Sequence, residues 1–193
     1  MNMNPTNWED LIHGRIPYLG QVTKRPIIFP GSFNPVHQGH QQMARIAADL
    51  LGRPVHPELS MVNVDKPNLE YSSVSKRVAD AAQLGHVILT RAARFVEKSN
   101  LFPGATFVIG ADTALRLDQT RYYDGSLRLR DQALGQIADA GARFLVFGRT
   151  IDGEFKDANQ LNLSEPLRQL CQFVSATRFR NDISSSKIRS DRS

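Results

Sequence analysis

The chain has 193 residues, 41% of them hydrophobic and 22% charged, a composition that fits one ordinary globular core and excludes disordered or collagen-like sequence. No apolar run reaches the ~18–20 residues of a membrane span. The stretch Met1 to Asp10 is polar and acidic, without a basic flank followed by an apolar core, so no secretory leader is expected, and the single cysteine, Cys171, excludes an internal disulfide or a thiolate cluster. The cytoplasm is the expected compartment. The net charge of +5, from 24 basic and 19 acidic residues, suits an anionic ligand.

Residues 1–25 read as an N-terminal arm and residues 26–193 as one domain. In the arm, Trp8 to His13 is a short amphipathic piece with Asn7 as its cap, ended by Pro17 and Gly20. Pro26 to Phe29 is an apolar run that reads as a buried strand, and Pro30-Gly31 ends it. Gln38 to Leu51 carries Met43, Ile46, Ala47, Leu50 and Leu51 at helical spacing, with Gly52 and Pro54 as the stop. A second strand is expected over Leu59 to Val64, a helix over Ser72 to Leu84 and a third strand over His86 to Leu89. A helix over Arg91 to Lys98 follows, then a fourth strand over Ala105 to Ile109, closed by Gly110. Leu127 to Ala140 reads as a helix, Phe144 to Phe147 as a fifth strand and Gln172 to Val174 as a short sixth. Ser184 to Arg189 has the character of a helix start. There is no internal repeat and no low-complexity tract.

Strands alternate with helices, and the strands are continuous runs of Val, Ile, Leu and Phe. That pattern suits a parallel sheet covered on both faces. Such sheets bind ligands outside the carboxyl ends of their strands, near the reversal of strand order. The loops after strands one and four are therefore where chemistry is expected.

The first of these loops reads Gly31-Ser32-Phe33-Asn34-Pro35-Val36-His37-Gln38-Gly39-His40. Gly31 permits a sharp turn and a close backbone approach, and Pro35 stiffens the loop. The helix beginning near Gln38 turns its free amides and the positive end of its dipole outward, which favours an anion. His37 and His40, three residues apart, lie on one side of the first turn. They can donate to phosphate oxygens and stabilise charge that grows during transfer. Two histidines lack the further ligands a zinc ion requires. The bland alternative is a capped helix start with satisfied histidines.

This string resembles the GxFxPxHxGH signature of the nucleotidyltransferase superfamily, whose HxGH element is shared with class I aminoacyl-tRNA synthetases. Gly31, Phe33, Pro35, His37, Gly39 and His40 match it. Ser32 and Asn34 give the variant similar to nicotinate and nicotinamide mononucleotide adenylyltransferases, and Pro30 stands where glycine is more usual. The resemblance implies a Rossmann-like, doubly wound parallel sheet of five or six strands in a single domain. It implies ATP contacts at Gly31, Ser32, Phe33, His37, Gly39 and His40, an acceptor contact at Asn34, and catalytic roles for the two histidines.

A second segment, Ile183-Ser184-Ser185-Ser186-Lys187-Ile188-Arg189, resembles the ISSTxxR signature of the same superfamily, with Ser186 in place of threonine. Serines at a helix start suit a phosphate, and an arginine one turn on offers a planar fork of donors. A frayed serine-rich tail is the alternative. The resemblance assigns Ser184, Ser185, Ser186 and Arg189 to ATP, with Arg189 catalytic beside the β- and γ-phosphates. The region from Phe173 to Ser193 carries five basic residues, Arg178, Arg180, Lys187, Arg189 and Arg192, against Asp182 and Asp191, a net +3.

Gly110-Ala111-Asp112 closes strand four. Asp112 can cap the helix from Thr113, and by resemblance Gly110 and Asp112 lie against the ATP ribose. Arg149, at the end of strand five, stands where a similar arginine does in the family, and the resemblance implies a further ATP-side residue there. Lys66, after strand two, and Arg77, in the next helix, resemble the family's acceptor-side segment. Related enzymes commonly stack the acceptor's pyridine ring on an aromatic residue, often tryptophan, in the loops after strand four. The only tryptophan here is Trp8, so Tyr122 and Tyr123 are the stacking candidates.

The expected activity is transfer of AMP from ATP to nicotinate or nicotinamide mononucleotide, with Mg²⁺ bound mainly through the ATP phosphates and no metal-ligating side chains. The alternatives are another phosphate-monoester acceptor (phosphopantetheine, or glycerol or choline phosphate) and a non-catalytic or slowly ATP-hydrolysing relative. The expected partners are ATP and the acceptor. No aromatic-basic interleaving points to nucleic acid, no membrane partner is expected, and nothing specifies an oligomeric state.

Overall fold

The computed structural model describes residues 5–62, 71–151 and 153–181. Nine strands and seven α-helices follow one another along these residues. At the centre are β2 (Ile27–Pro30), β3 (Val55–Ser60), β4 (Ile88–Thr90), β5 (Thr106–Gly110), β6 (Arg143–Phe147) and β9 (Cys171–Val174). They lie in the order β4-β3-β2-β5-β6-β9 and are parallel throughout. Consecutive residues of each strand serve opposite faces. Ile27, Phe29, Leu145 and Phe147 join one apolar core, and Ile28, Phe107, Phe144 and Val146 join the other. Burial on both faces explains why the strands read as unbroken apolar runs.

The first core is closed by α2 (Gln38–Leu51), which inserts Met43, Ala44 and Ala47. The helix stops as expected: Gly52 is left-handed (φ 64°) and its N–H caps the Ala48 carbonyl at 2.8 Å. The second core is closed by α6 (Leu127–Asp139) through Leu134 and Ile137, and by α7 (Glu165–Arg168) through Leu167. The sequence alone gives α7 no clear apolar period.

The arm is built into the sheet. Helix α1 (Pro5–Ile12) buries Leu11, and β1 (Tyr18–Leu19) pairs antiparallel with β4, making a seventh, edge strand beyond the expected six. The second parallel strand is displaced from its expected place. It runs over Val55–Ser60 rather than Leu59 to Val64. Pro57 is tolerated because β4 begins its pairing only at Glu58, so the missing N–H breaks no ladder bond on that side. Helix α3 (Tyr71–Ala81) ends in a 3₁₀ turn over Ala82–Leu84, and α4 (Phe95–Leu101) starts later than its expected onset at Arg91. After β6 the chain forms a small hairpin, β7 (Arg149–Ile151) with β8 (Glu154–Lys156), which the apolar pattern does not announce. No helix among the described residues is long and apolar enough to cross a membrane.

Candidate active site

The strand order reverses between β2 and β5, so the loops leaving these two strands diverge and open a crevice at their carboxyl ends. One wall is the loop from Gly31 to His37 with the first turn of α2. The other is Gly110 with the start of α5 (Ala111–Asp118).

The first wall is organised around a buried ring. Phe33 has a positive φ of 43° and is fully buried, packed edge-on against Phe29 at 5.5 Å and against His40 at 5.3 Å. Its ring lies under Gly31, where a Cβ would meet ring carbons at 2.8 and 2.9 Å. Only a residue without a side chain fits above the phenylalanine. Phe33 therefore serves this loop through packing, as the buried support beneath Gly31 and His40, and not as a surface contact.

His37 is the extended N-cap of α2, and His40 lies at its third position. Their rings stack with centroids 3.8 Å apart and planes inclined by 29°. The His37 backbone N–H donates to His40 Nδ1 at 3.3 Å. The neutral His40 ring therefore carries its proton on Nε2, which is left as a donor. Both nitrogens of His37 are buried with no hydrogen-bond partner among the described residues. A buried donor without a partner is costly, and a ligand oxygen would relieve it. Gly39 makes room for this ring: a Cβ there would stand 3.0 Å from His37 Cε1. Burial, and then the Arg149 guanidinium, hold His37 below the ordinary imidazole range. Burial, His37 and Arg149, in that order, bring His40 down to about 3. Both imidazoles are thus uncharged hydrogen-bond donors at neutral pH.

On the second wall, α5 starts at Ala111 with Gly110 as its N-cap, so Asp112 lies inside the first turn and is not the cap of a helix from Thr113. Its carboxylate folds back over Gly110, where a Cβ would meet Oδ1 at 2.6 Å and Arg149 Cδ at 3.3 Å. Arg149 Nε is 3.4 Å from Asp112 Oδ1. The Gly-x-Asp spacing therefore reflects a close approach of side chain to backbone. Arg149 follows Gly148, whose lack of a side chain lets the backbone lie close against Phe155, where a Cβ would stand 2.5 Å from Cζ.

The structure brings Gly31, Ser32, Phe33, Asn34, His37, Gly39, His40, Gly110, Asp112 and Arg149 to one end of the sheet. Arg77 joins them from α3, its Nη1 donating to the Ser32 carbonyl at 3.5 Å. Tyr122 and Tyr123 sit on a 3₁₀ turn after α5. Tyr122 Oη accepts from Arg116 and Arg121, and Tyr123 Oη donates to the Leu117 carbonyl at 3.1 Å. Their polar contacts therefore lie at the far end of α5 and not on the histidine loop. Lys66, Ser184, Ser185, Ser186 and Arg189 lie outside the described residues.

Two contacts at this end of the sheet have no sequence motif. Asn181 Nδ2 donates to Gln42 Oε1 at 3.0 Å, and its Cγ would lie 3.3 Å from a Cβ at Gly39. The chain thus reaches the helix start two residues before Ile183. The other is a buried Glu58–Lys98–Thr90 cluster, which the sequence does not signal because Lys98 stands among Glu97, Ser99 and Asn100 in Phe95–Leu101.

A doubly wound sheet with an anion-accepting helix start and a carboxylate across the switch point is a nucleotide-binding architecture. A model of the cytidylyltransferase-like family matches residues 28–191, and the chain belongs to that family. Membership places it among the nucleotidyltransferases. No curated protein matches the chain.

Proposed function

We propose that the protein transfers AMP from ATP to nicotinate or nicotinamide mononucleotide and releases pyrophosphate. The observation that carries this reading is the neutral, stacked His37–His40 pair at the start of α2, facing Asp112 across the strand-order reversal. The choice of acceptor draws its support from the Ser32 and Asn34 variant of the loop and the Gly110-x-Asp112 element.

In the proposed reaction an oxygen of the acceptor phosphate attacks the α-phosphorus in line. One P–O bond forms as the bridge to the β-phosphate breaks, and pyrophosphate departs with the bonding electrons. The monoester is ionised near neutral pH, so no side chain has to remove a proton. The protein's share is positioning and charge stabilisation. His40 Nε2–H and the His37 ring donate to phosphate oxygens, assisted by the free amides of α2. Asp112 accepts the ribose hydroxyls, and Arg149 supplies positive charge beside the phosphates. Ser184, Ser185, Ser186 and Arg189 hold the leaving pyrophosphate, and Lys66 and Arg77 the acceptor.

Mg²⁺ neutralises phosphate charge in such transfers. By the family resemblance, the cation is carried mainly on the nucleotide's own phosphates, with water completing its shell.

A second acceptor class, another phosphate monoester such as phosphopantetheine, is favoured by one observation. The Tyr122 ring is covered by the guanidinium groups of Arg116 and Arg121, 5.4 and 4.8 Å from its centroid, and the Tyr123 hydroxyl is held at the Leu117 carbonyl, away from the histidine loop. Pyrophosphate release from ATP-Mg²⁺, measured in parallel with nicotinamide mononucleotide, nicotinate mononucleotide, phosphopantetheine and no acceptor, separates the readings. Release that requires a pyridine mononucleotide supports the first. Release with phosphopantetheine alone replaces it by the second, and ATP binding without release in any arm overturns both. In the active arm, His40→Ala is expected to lower kcat by ~100-fold or more with an unchanged circular dichroism spectrum. Near-normal turnover would remove His40 from the mechanism.

A further inference from the structure

An acid and a base lie almost fully buried below the loops that leave β3 and β4. Glu58 is 1% exposed and Lys98 4%. Lys98 Nζ donates to Glu58 Oε1 at 2.6 Å and to the Ala92 carbonyl at 2.7 Å. Thr90 Oγ1 donates to the same carboxylate oxygen at 2.5 Å and accepts the Ala92 N–H at 3.1 Å. A buried ion pair is not an efficient route to stability, because an apolar pair of similar volume commonly does as well or better. Its presence under a functional loop therefore calls for another explanation.

The backbones of the same residues supply one. The Glu58 carbonyl accepts the N–H of Gly31 at 3.0 Å, and the Thr90 carbonyl accepts the N–H of Met61 at 2.8 Å. Gly31 begins the phosphate loop. Met61 is fully buried and stands at the exit of β3, five residues before Lys66. Lys98 comes from α4, so the pair fastens β3, β4 and α4 together at the level of these two exits. The nucleotide-side residues His37, His40, Asp112 and Arg149 hang instead from α2, α5 and β7.

We propose that the buried Glu58–Lys98 pair, with Thr90, is a positioning device for the acceptor half of the site. It sets where the chain leaves β3 relative to Gly31, and so where the acceptor phosphate stands relative to the α-phosphorus. This rests on the nucleotidyl-transfer reading above. None of the three residues touches a substrate. They act through the backbone at Met61, where the chain leaves β3, and the Gly31 N–H on the Glu58 carbonyl is the fixed reference against which that exit is placed.

The test compares Glu58→Gln and the double variant Glu58→Leu with Lys98→Met against wild type in the 193-residue chain. The double variant removes both charges together, so no orphaned ion is left to unfold the chain. KM for nicotinamide mononucleotide is expected to rise ~10–100-fold in both, the usual cost of a small misplacement, with KM for ATP within ~2-fold of wild type. In the double variant the melting temperature should be at or above that of wild type, while the acceptor defect persists. An unchanged acceptor KM, an equal rise in both KM values, or failure of both variants to fold overturns the proposal. A wild type that releases no pyrophosphate with any acceptor sinks the functional reading instead. Amide exchange at Met61 then decides the positioning claim: faster exchange in the double variant supports it, and unchanged exchange refutes it.

Discussion

Acidification should destabilise this protein through His40, and the effect can be isolated by replacing one ring. In the folded chain His40 titrates at about 3, whereas an imidazole in the unfolded chain titrates near ~6.5. Between those values the unfolded state binds more protons, so stability falls as pH drops through this window and is fully present above it. From pH 7 to pH 5 the unfolded ring gains most of one proton and the folded ring almost none, which integrates to ~2 kcal/mol. Residual solvent contact of the half-buried ring makes this a ceiling. His40→Asn removes the titration while leaving a side-chain oxygen able to accept the His37 N–H. Urea unfolding of both proteins, followed by far-ultraviolet circular dichroism at the two pH values, gives the comparison. His37 and His56, also held below the ordinary imidazole range chiefly by burial, act in the same direction in both proteins and cancel to first order. The wild type is expected to lose up to ~2 kcal/mol more than His40→Asn. Losses that agree within ~0.5 kcal/mol would falsify the claim that the folded ring resists protonation.

Other perturbations read other parts of the crevice. Gly31→Ala places a Cβ within 2.8 Å of the buried Phe33 ring, and the protein should lose ~1–3 kcal/mol in denaturant unfolding. Gly110→Ala puts its Cβ 2.6 Å from Asp112 Oδ1. The carboxylate can swing aside, so KM for ATP is expected to rise ~10-fold, equivalent to ~1.4 kcal/mol, with little change in melting temperature. Arg149→Met removes one of the charges that depress both histidines, so the His37 and His40 ring resonances should titrate at higher pH in NMR. Unshifted titrations would place the guanidinium elsewhere.

The alternation of strands and helices was legible in the sequence because both faces of the sheet are covered, which leaves runs such as Ile27-Ile28-Phe29 and Phe144 to Phe147 apolar throughout. Helix α2 was legible to the residue because its buried positions keep one period and Gly52 terminates it. Strand β3 was misplaced for the opposite reason. Val55-His56-Pro57-Glu58 reads as a polar loop, yet all four residues are buried. Glu58 is inside only because Lys98 and Thr90 meet it from elsewhere in the chain, a pairing that no local pattern records. In the site, the histidines and glycines stood out by spacing, but the reason for the glycines did not. Gly31 answers to the ring of Phe33, Gly39 to that of His37 and Gly110 to the carboxylate of Asp112. Asn181 is joined to Gln42 across 139 positions of sequence, a separation at which spacing carries no information.

The strand order also suggests a division of labour within the proposed reaction. β2 lies at the reversal, with β3 and β4 on one side and β5, β6 and β9 on the other. In-line displacement requires the attacking and leaving oxygens to lie on opposite sides of the α-phosphorus. A phosphorus held over the start of α2 can therefore receive its acceptor from the β3 side, where Arg77 meets Ser32. It can release pyrophosphate toward the side where Asn181 brings the C-terminal chain to Gly39. If that is the arrangement, substitutions should sort by side. Arg77→Ala should raise KM for nicotinamide mononucleotide ~10-fold and leave KM for ATP near wild type, while Asp112→Ala should do the reverse. Equal effects of each substitution on both constants would mean that the reversal point does not separate donor from acceptor.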